Sequence, residues 1–413
     1  MDGDEPPTIG ARARRIRRRR GMSLDVAAGL AGISKPYLSM LENGQRGFNR
    51  RGLIEDLATA LGCSVADLTG QPYLPPDRET ADALAVGAEI MPLLYDITLD
   101  DVPDVPARPV NLLARMAAEA NAHCEEARYA LAGRGLGALL TELHVHAVTG
   151  TPAARRTALA ALVEACVVTF GIARQVGSPH LAVQAMDRGH AAAARLGDPV
   201  LAGFAGLARA GAFSRLGARR TAGNVLTQAR AMVEPEADPT GPDVRAAEAL
   251  GMIHLLAAQL AGRNGHPGDA DAHLAEAATL AHATGERNTL EWHFGPSNVA
   301  AWALAIAVER GDGPGRAERL DADPITPASK GRRSRLHLDL ARGYAQAEGD
   351  RDGEAIRHLD TADRIAPTRI RNDPFARDLV VILGRRARRQ VWELDSLRNR
   401  FGMSGQGSRG VNS

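Results

Sequence analysis

The chain is expected to be all-α, with a small helical module at its N-terminus and a long array of paired helices behind it. Three observations predict this. Residues 23–47, SLDVAAGLAGISKPYLSMLENGQRG, read as two short helices joined by a tight turn. From about Val110 onward the sequence is a succession of amphipathic stretches of roughly 15–22 residues, separated by Gly, Asp and Pro. Aromatic residues make up only 4% of the chain, while Ala, Leu, Gly and Arg abound, which suits close helix packing better than a β-rich fold.

In the first module, Ser23 is placed to cap one helix through Val26, Ala27 and Leu30, and Ser34 to cap a second through Leu38 and Leu41. Gly32 falls between them, where a tight turn takes a positive φ without steric cost. Ala28 is the small residue that lets the two helices cross, and Asn43-Gly44 is a stop signal for the second. Upstream, Ile9, Ala13 and Ile16 mark the core side of a preceding helix, so the run Arg14–Arg20 surrounds that helix as a largely solvated face and is not a free basic arm.

The whole chain is close to neutral, with 50 Lys and Arg against 49 Asp and Glu, but its charge is uneven. Residues 8–70 hold eleven cations and five acids, an excess of six, as expected if only this module meets phosphate. On the second helix, Lys35, Pro36, Ser39 and Met40 face away from Leu38 and Leu41. A Lys can donate to guanine O6 or N7, a Ser can donate or accept, and Pro or Met can touch a thymine methyl.

These residues carry a resemblance. IGARARRIRRRRGMSLDVAAGLAGIS, KPYLSMLENGQ and RRGLIEDLATALGCSVADLTG resemble the five-helix DNA-binding domain of phage-repressor/Cro (Xre-type) regulators, most clearly at Leu41-Glu42-Asn43-Gly44 and at Leu57, Ala58, Leu61, Val65 and Leu68. The resemblance covers about a sixth of the chain, over residues 8–71, and implies double-stranded DNA as the partner. It places base contacts at Lys35, Pro36, Ser39 and Met40, with Ser34 at the start of that helix, and phosphate contacts at Ser23, Asn43, Gln45 and Arg46. It also implies a structural ion pair between Arg17 and Glu42. The family more often has Gln, Arg or Asn at the reading positions, so Pro36 and Met40 leave the base preference open.

Residues 72–106 read as a proline-rich connector containing one helix, near Glu79–Tyr95. Over 107–400, an Ala-x6-Ala spacing recurs in the second helix of successive pairs: Ala222 and Ala229, Ala270 and Ala277, Ala355 and Ala362. Pro367 follows the last of these, and Tyr344 precedes it. This resembles a degenerate tetratricopeptide (TPR-like) repeat solenoid, although the period wanders and the usual Trp and Gly positions are poorly kept. In domain order the chain resembles the peptide-pheromone-responsive regulators of Gram-positive bacteria. That resemblance implies a homodimer whose TPR-like domain senses a signal peptide, a small molecule or a partner protein, or serves dimerisation alone. First helices at 199–216, 243–262, 295–310 and 330–347 would line its inner face. The competing class is a TPR-like interaction scaffold with an accessory helix-turn-helix.

The exclusions are equally specific. Cys63, Cys124 and Cys166 form no CxxC, so neither a disulfide framework nor a closed zinc site is expected, and a reducing cytoplasm is the default setting. No run of eighteen apolar residues and no apolar leader is seen, so a membrane role is not expected. His144 and His146, two residues apart on a helix, point to different sides and make a poor metal pair, and the histidines from His254 to His293 read as surface residues. No P-loop, G-x-S-x-G, H-E-x-x-H or G-x-G-x-x-G stands in the needed context, so no enzyme, cofactor or catalytic residue is expected. Arg385, Arg386, Arg388, Arg389, Arg398 and Arg400 read as one basic C-terminal helix, and residues 401–413 as a disordered tail.

Overall fold

The computed structural model describes residues 7–403 apart from 291, 388 and 390. Among the described residues every regular element is helical. The first module holds α1 (Ile9–Arg19), α2 (Leu24–Leu30), α3 (Lys35–Glu42), α4 (Arg51–Leu61) and α5 (Val65–Thr69). There follow α6 (Arg78–Asp96), α7 (Val110–Glu125), α8 (Tyr129–Gly133), α9 (Leu136–Thr149), α10 (Pro152–Val176), α11 (Pro179–Leu196), α12 (Pro199–Leu216), α13 (Arg219–Val233), α14 (Arg245–Arg263) and α15 (Pro267–Thr284). The chain ends with α16 (Pro296–Arg310), α17 (Gly313–Ala322), α18 (Lys330–Ala345), α19 (Asp352–Ile365), α20 (Pro367–Arg371), α21 (Pro374–Arg386) and α22 (Trp392–Arg400).

The compact units do not follow chain order. Residues 1–76, 307–324 and 334–413 form one, and residues 77–306 and 325–333 the other. The second unit is a solenoid-like succession in which α10 packs on α11, α11 on α12, α12 on α13, and α14 on α15. Loops of two residues separate α10 from α11 and α11 from α12, and each pair has the first turn of its later helix opened by a proline at a position where no N–H is needed. The recurrent alanines do what their spacing suggests: Ala222, Ala229, Ala270 and Ala277 are all buried, as are Ala355 and Ala362 in the other unit. The segment read as a connector contributes α6 to this unit, where Ala83 and Ile90 are fully buried and the helix packs on α8, α9, α10 and α11.

α10 is long and apolar enough to cross a membrane by length and composition, but its apolar window is 72% buried, as in a core helix. Three expectations are corrected. His254 is not a surface residue but is buried, its Nδ1 3.0 Å from His273 Nδ1 across the α14–α15 hairpin; His337 and His358 repeat that contact at 3.0 Å between α18 and α19. The basic C-terminal stretch is split between α21 and α22, and Arg400 is tied to Asp360 and Asp363. Of the expected tail, Phe401 and Met403 are buried, and residues 404–413 lie outside the described residues.

In the first unit the N-terminal module and the C-terminal helices share a core. Phe375 of α21 joins Ile9, Leu38, Leu41, Ile54, Leu57 and Leu68 in one buried cluster. Two distant carboxylates finish the module's helices. α4 begins without a side-chain cap of its own, and Glu309 of α16 instead accepts the N–H groups of Arg51 and Gly52 at 2.7 and 3.3 Å. Asp378 of α21 accepts the N–H of Ile9, the first residue of α1, at 3.3 Å and that of Phe48 at 3.0 Å. Burial pushes the Asp378 carboxyl up to about 6, against the opposing pull of these two N–H groups.

Candidate nucleic-acid interface

The local signals that start and stop α2 and α3 act as their sequence suggests. Ser23 Oγ accepts the N–H of Val26, and Ser34 Oγ that of Tyr37. Gly32 in the turn has φ +67°, and Ala28 is buried where the two helices meet. Behind them Gly10 of α1 lies so close to α3 that a Cβ there would fall 1.9 Å from the carbonyl oxygen of Leu41. Only glycine permits that approach. Leu38 and Leu41 are buried on the inner side of α3, which fixes the other side outward.

Lys35 and Pro36 stand exposed on that outer side, while Ser39 and Met40 are half-buried. The chain after the helix folds back so that the N–H groups of Gln45 and Arg46 both donate to the carbonyl of Met40. Lys35 Nζ lies 2.7 Å from Asp25 Oδ2, with both side chains more than half exposed (57% and 65%), so the pair holds the cation weakly.

Arg17 and Glu42 meet inside the module in a two-pronged ion pair, Nε to Oε1 at 2.6 Å and Nη2 to Oε2 at 2.7 Å, and Arg17 also donates to the carbonyl of Met22. Both side chains are under 10% exposed. The pair ties α1 to the end of α3 and, through Met22, to the approach to α2. That hydrogen bonding raises the guanidinium pKa above its ordinary value.

The residues for which the resemblance implies phosphate contacts make contacts within the protein that sequence inspection does not reveal. Asn43 Oδ1 accepts from Arg14 Nη1 at 3.1 Å, so one arginine of the basic run reaches the end of α3. Gln45 is exposed. Arg46 stacks over the ring of Tyr37, 5.4 Å from its centroid, and pairs with Glu348 at 2.5 Å. Glu348 sits in the turn between α18 and α19 with φ +58°, a left-handed conformation that costs a non-glycine residue about 1–2 kcal/mol. The only sequence cue for it was the acidic turn EGDRDG at 348–353.

His144 and His146 have separate partners. His144 Nδ1 contacts the carbonyl of Leu140 and its Nε2 contacts Arg188, whereas His146 Nε2 contacts the carbonyl of Arg108. Burial lowers the His144 pKa to about 4. Among the described residues no group of three or more His, Cys, Asp or Glu side chains is arranged to hold a metal ion.

A rigid two-helix frame, with its second helix open along one side and flanked by Arg14 and Arg46, can present side chains to base edges and cations to phosphates. No curated protein matches the chain. Residues 8–69 do match a known family, and the first module is a helix-turn-helix domain, the architecture of a DNA-binding regulator.

Proposed function

We propose that this chain is a sequence-specific transcriptional regulator of the phage-repressor/Cro type that binds double-stranded DNA as a homodimer. Its helical region is a TPR-like domain that dimerises the protein or senses a signal. The observation that carries the DNA reading is the orientation of α3: Leu38 and Leu41 hold it in the core while Lys35 and Pro36 stand clear on the opposite side. In this reading Lys35, Pro36, Ser39 and Met40 face bases, and Ser23, Asn43, Gln45 and Arg46 face the backbone.

The dimer follows from scale. One recognition helix covers only a few base pairs, and two of them on one DNA face need half-sites one helical turn, about 34 Å, apart, or a multiple of it. The TPR-like reading is supported by the buried Ala-x6-Ala positions and by the histidine contact repeated between α14–α15 and α18–α19. A ligand in this domain acts only if it binds the DNA-competent and incompetent states unequally.

The deciding experiment is a mobility-shift titration of the full chain on a fragment from its own promoter and on a random duplex of equal length. A regulator binds the promoter fragment at least about a thousandfold more tightly. An interaction scaffold binds both weakly and alike. Sedimentation at micromolar concentration should give a dimer, and a monomer even on DNA would remove that part of the proposal.

A further inference from the structure

The C-terminal helix α21 runs beside the helix-turn-helix module with one side turned toward it. Asp378 holds the N–H groups of Ile9 and Phe48. One turn on, Ile382 touches Gly47, with its side chain 3.3 Å from the place of a Cβ there. Less than a turn further, Arg385 lays its guanidinium over Gly44, where a Cβ would lie 2.1 Å from its Nη1. Residues 378, 382 and 385 share one side of a helix at i, i+4 and i+7 spacing. That side therefore begins in the buried core at Asp378 and ends at an exposed arginine beside the turn 43–46.

From this line of contacts we propose that Arg385 is a DNA-backbone contact, so that α21 forms part of the interface together with the helix-turn-helix. Three structural features converge on a phosphodiester as a partner for its guanidinium. Arg385 is exposed although it packs against the module. The residues flanking Gly44 are Asn43 and Gln45, both exposed, and Arg14 donates to Asn43 Oδ1. A guanidinium so placed offers parallel N–H donors to phosphate oxygens. Gly44, at φ +68° and with no room for a Cβ, keeps this approach open. The contact reads no base, because its reach is to the sugar–phosphate backbone.

The inference rests on the DNA-binding reading above, and one experiment separates the two. Full-length wild type, Arg385→Gln and Arg385→Lys are titrated by fluorescence anisotropy against the promoter fragment and a random duplex, between about 50 and 200 mM NaCl, a range over which phosphate contacts show. Arg385→Gln removes the charge and shortens the side chain while keeping a polar amide at its end. It should weaken binding to both duplexes by the same factor, about three- to tenfold, and reduce the slope of log affinity against log salt by about one. Arg385→Lys should restore the slope. A circular-dichroism melt shared by all three excludes a folding effect; a lowered melt in the Gln variant with full recovery of fold and slope in the Lys variant supports the same contact. Wild-type affinity and slope in Arg385→Gln would overturn the inference while leaving the DNA reading intact, as would a loss confined to the promoter fragment. A wild-type chain that binds neither duplex removes the reading itself.

Discussion

Arg342 and Glu309 form an ion pair at 2.9 Å with the arginine side chain fully inaccessible and the glutamate 2% exposed. The same guanidinium reaches Asp339 at 2.6 Å and the carbonyl of Asn49 at 2.6 Å, and it lies 4.2 Å from the centroid of Phe375. Since Glu309 also caps α4, one buried arginine from the helical region supports the first turn of a helix in the helix-turn-helix module. Arg342→Met removes the guanidinium that joins Glu309 to Asp339, of which Asp339 keeps Arg335 at 2.8 Å, and should cost about 3–5 kcal/mol. Urea unfolding measures this; a loss below about 1 kcal/mol would show that the carboxylates are accommodated in another way.

The Arg17–Glu42 pair is shielded inside the module. Glu42→Ala strands a buried guanidinium, so it should lower the melting temperature and weaken DNA binding through the position of α3. Replacing both residues with apolar side chains should recover much of the stability. An unchanged melt for the single variant would remove the pair from the account of the fold.

If Arg46 meets a DNA phosphate as proposed, Glu348 competes with that phosphate for its guanidinium. A cavity of about 160 Å³ lined by Tyr37, Arg46, Asn49, Arg50, Glu348 and Arg386 adjoins the pair and gives the carboxylate room to withdraw. Both side chains are partly exposed, so the pair is worth about 0.2–1 kcal/mol. Glu348→Gln should therefore raise affinity for all duplexes by a factor of up to about five, most at low salt. The gain should vanish in an Arg46→Ala background, which a double-mutant cycle tests directly.

In the proposed DNA reading Lys35, held only by an exposed pair with Asp25, is a base contact. Lys35→Ala should cost about 1–3 kcal/mol on the preferred site and relax the preference there. Arg46→Ala should weaken every sequence alike. Equal losses on promoter and random DNA for both variants would deny Lys35 a reading role.

The paired histidines predict sensitivity to mild acid. Burial, followed by the charge of His273, lowers the His254 pKa to about 4. A group depressed in the fold binds its proton more readily when unfolded, so its contribution is full above about pH 6.5 and is lost as pH falls toward 4. Asp378 has the opposite sign: its raised value favours the protonated fold, and its contribution is lost as pH rises through about 6. His254→Asn should thus flatten the fall in melting temperature between pH 6.5 and 5, and Asp378→Asn should steepen it. Calorimetry across that range checks both.

Local pattern carried much of the helix-turn-helix. Ser23, Gly32, Ser34 and Gly44 act within one turn of their own positions, and caps and positive-φ turns depend on the residue itself. The same holds for the paired helices, whose Gly and Pro breaks and buried alanines lie where the periodicity puts them. Composition was less informative for α10, whose apolar window follows charged residues in its first turns. The histidine contact across α14 and α15 joins residues on two helices, and single-helix periodicity does not report it.

Contacts across hundreds of residues were invisible in the chain. Nothing near Arg50 announces that α4 has its cap in Glu309, and nothing near Gly44 or Gly47 announces Arg385 or Ile382. Glu348 looks like any acid in a polar turn until the fold brings Arg46 within 2.5 Å. Helix starts, stops and faces follow from interactions a few residues apart, which a one-dimensional pattern records. The partner of a buried charge is chosen by which surfaces the core brings together, and that choice exists only once the C-terminal helices have packed around Phe375 and the module's own core.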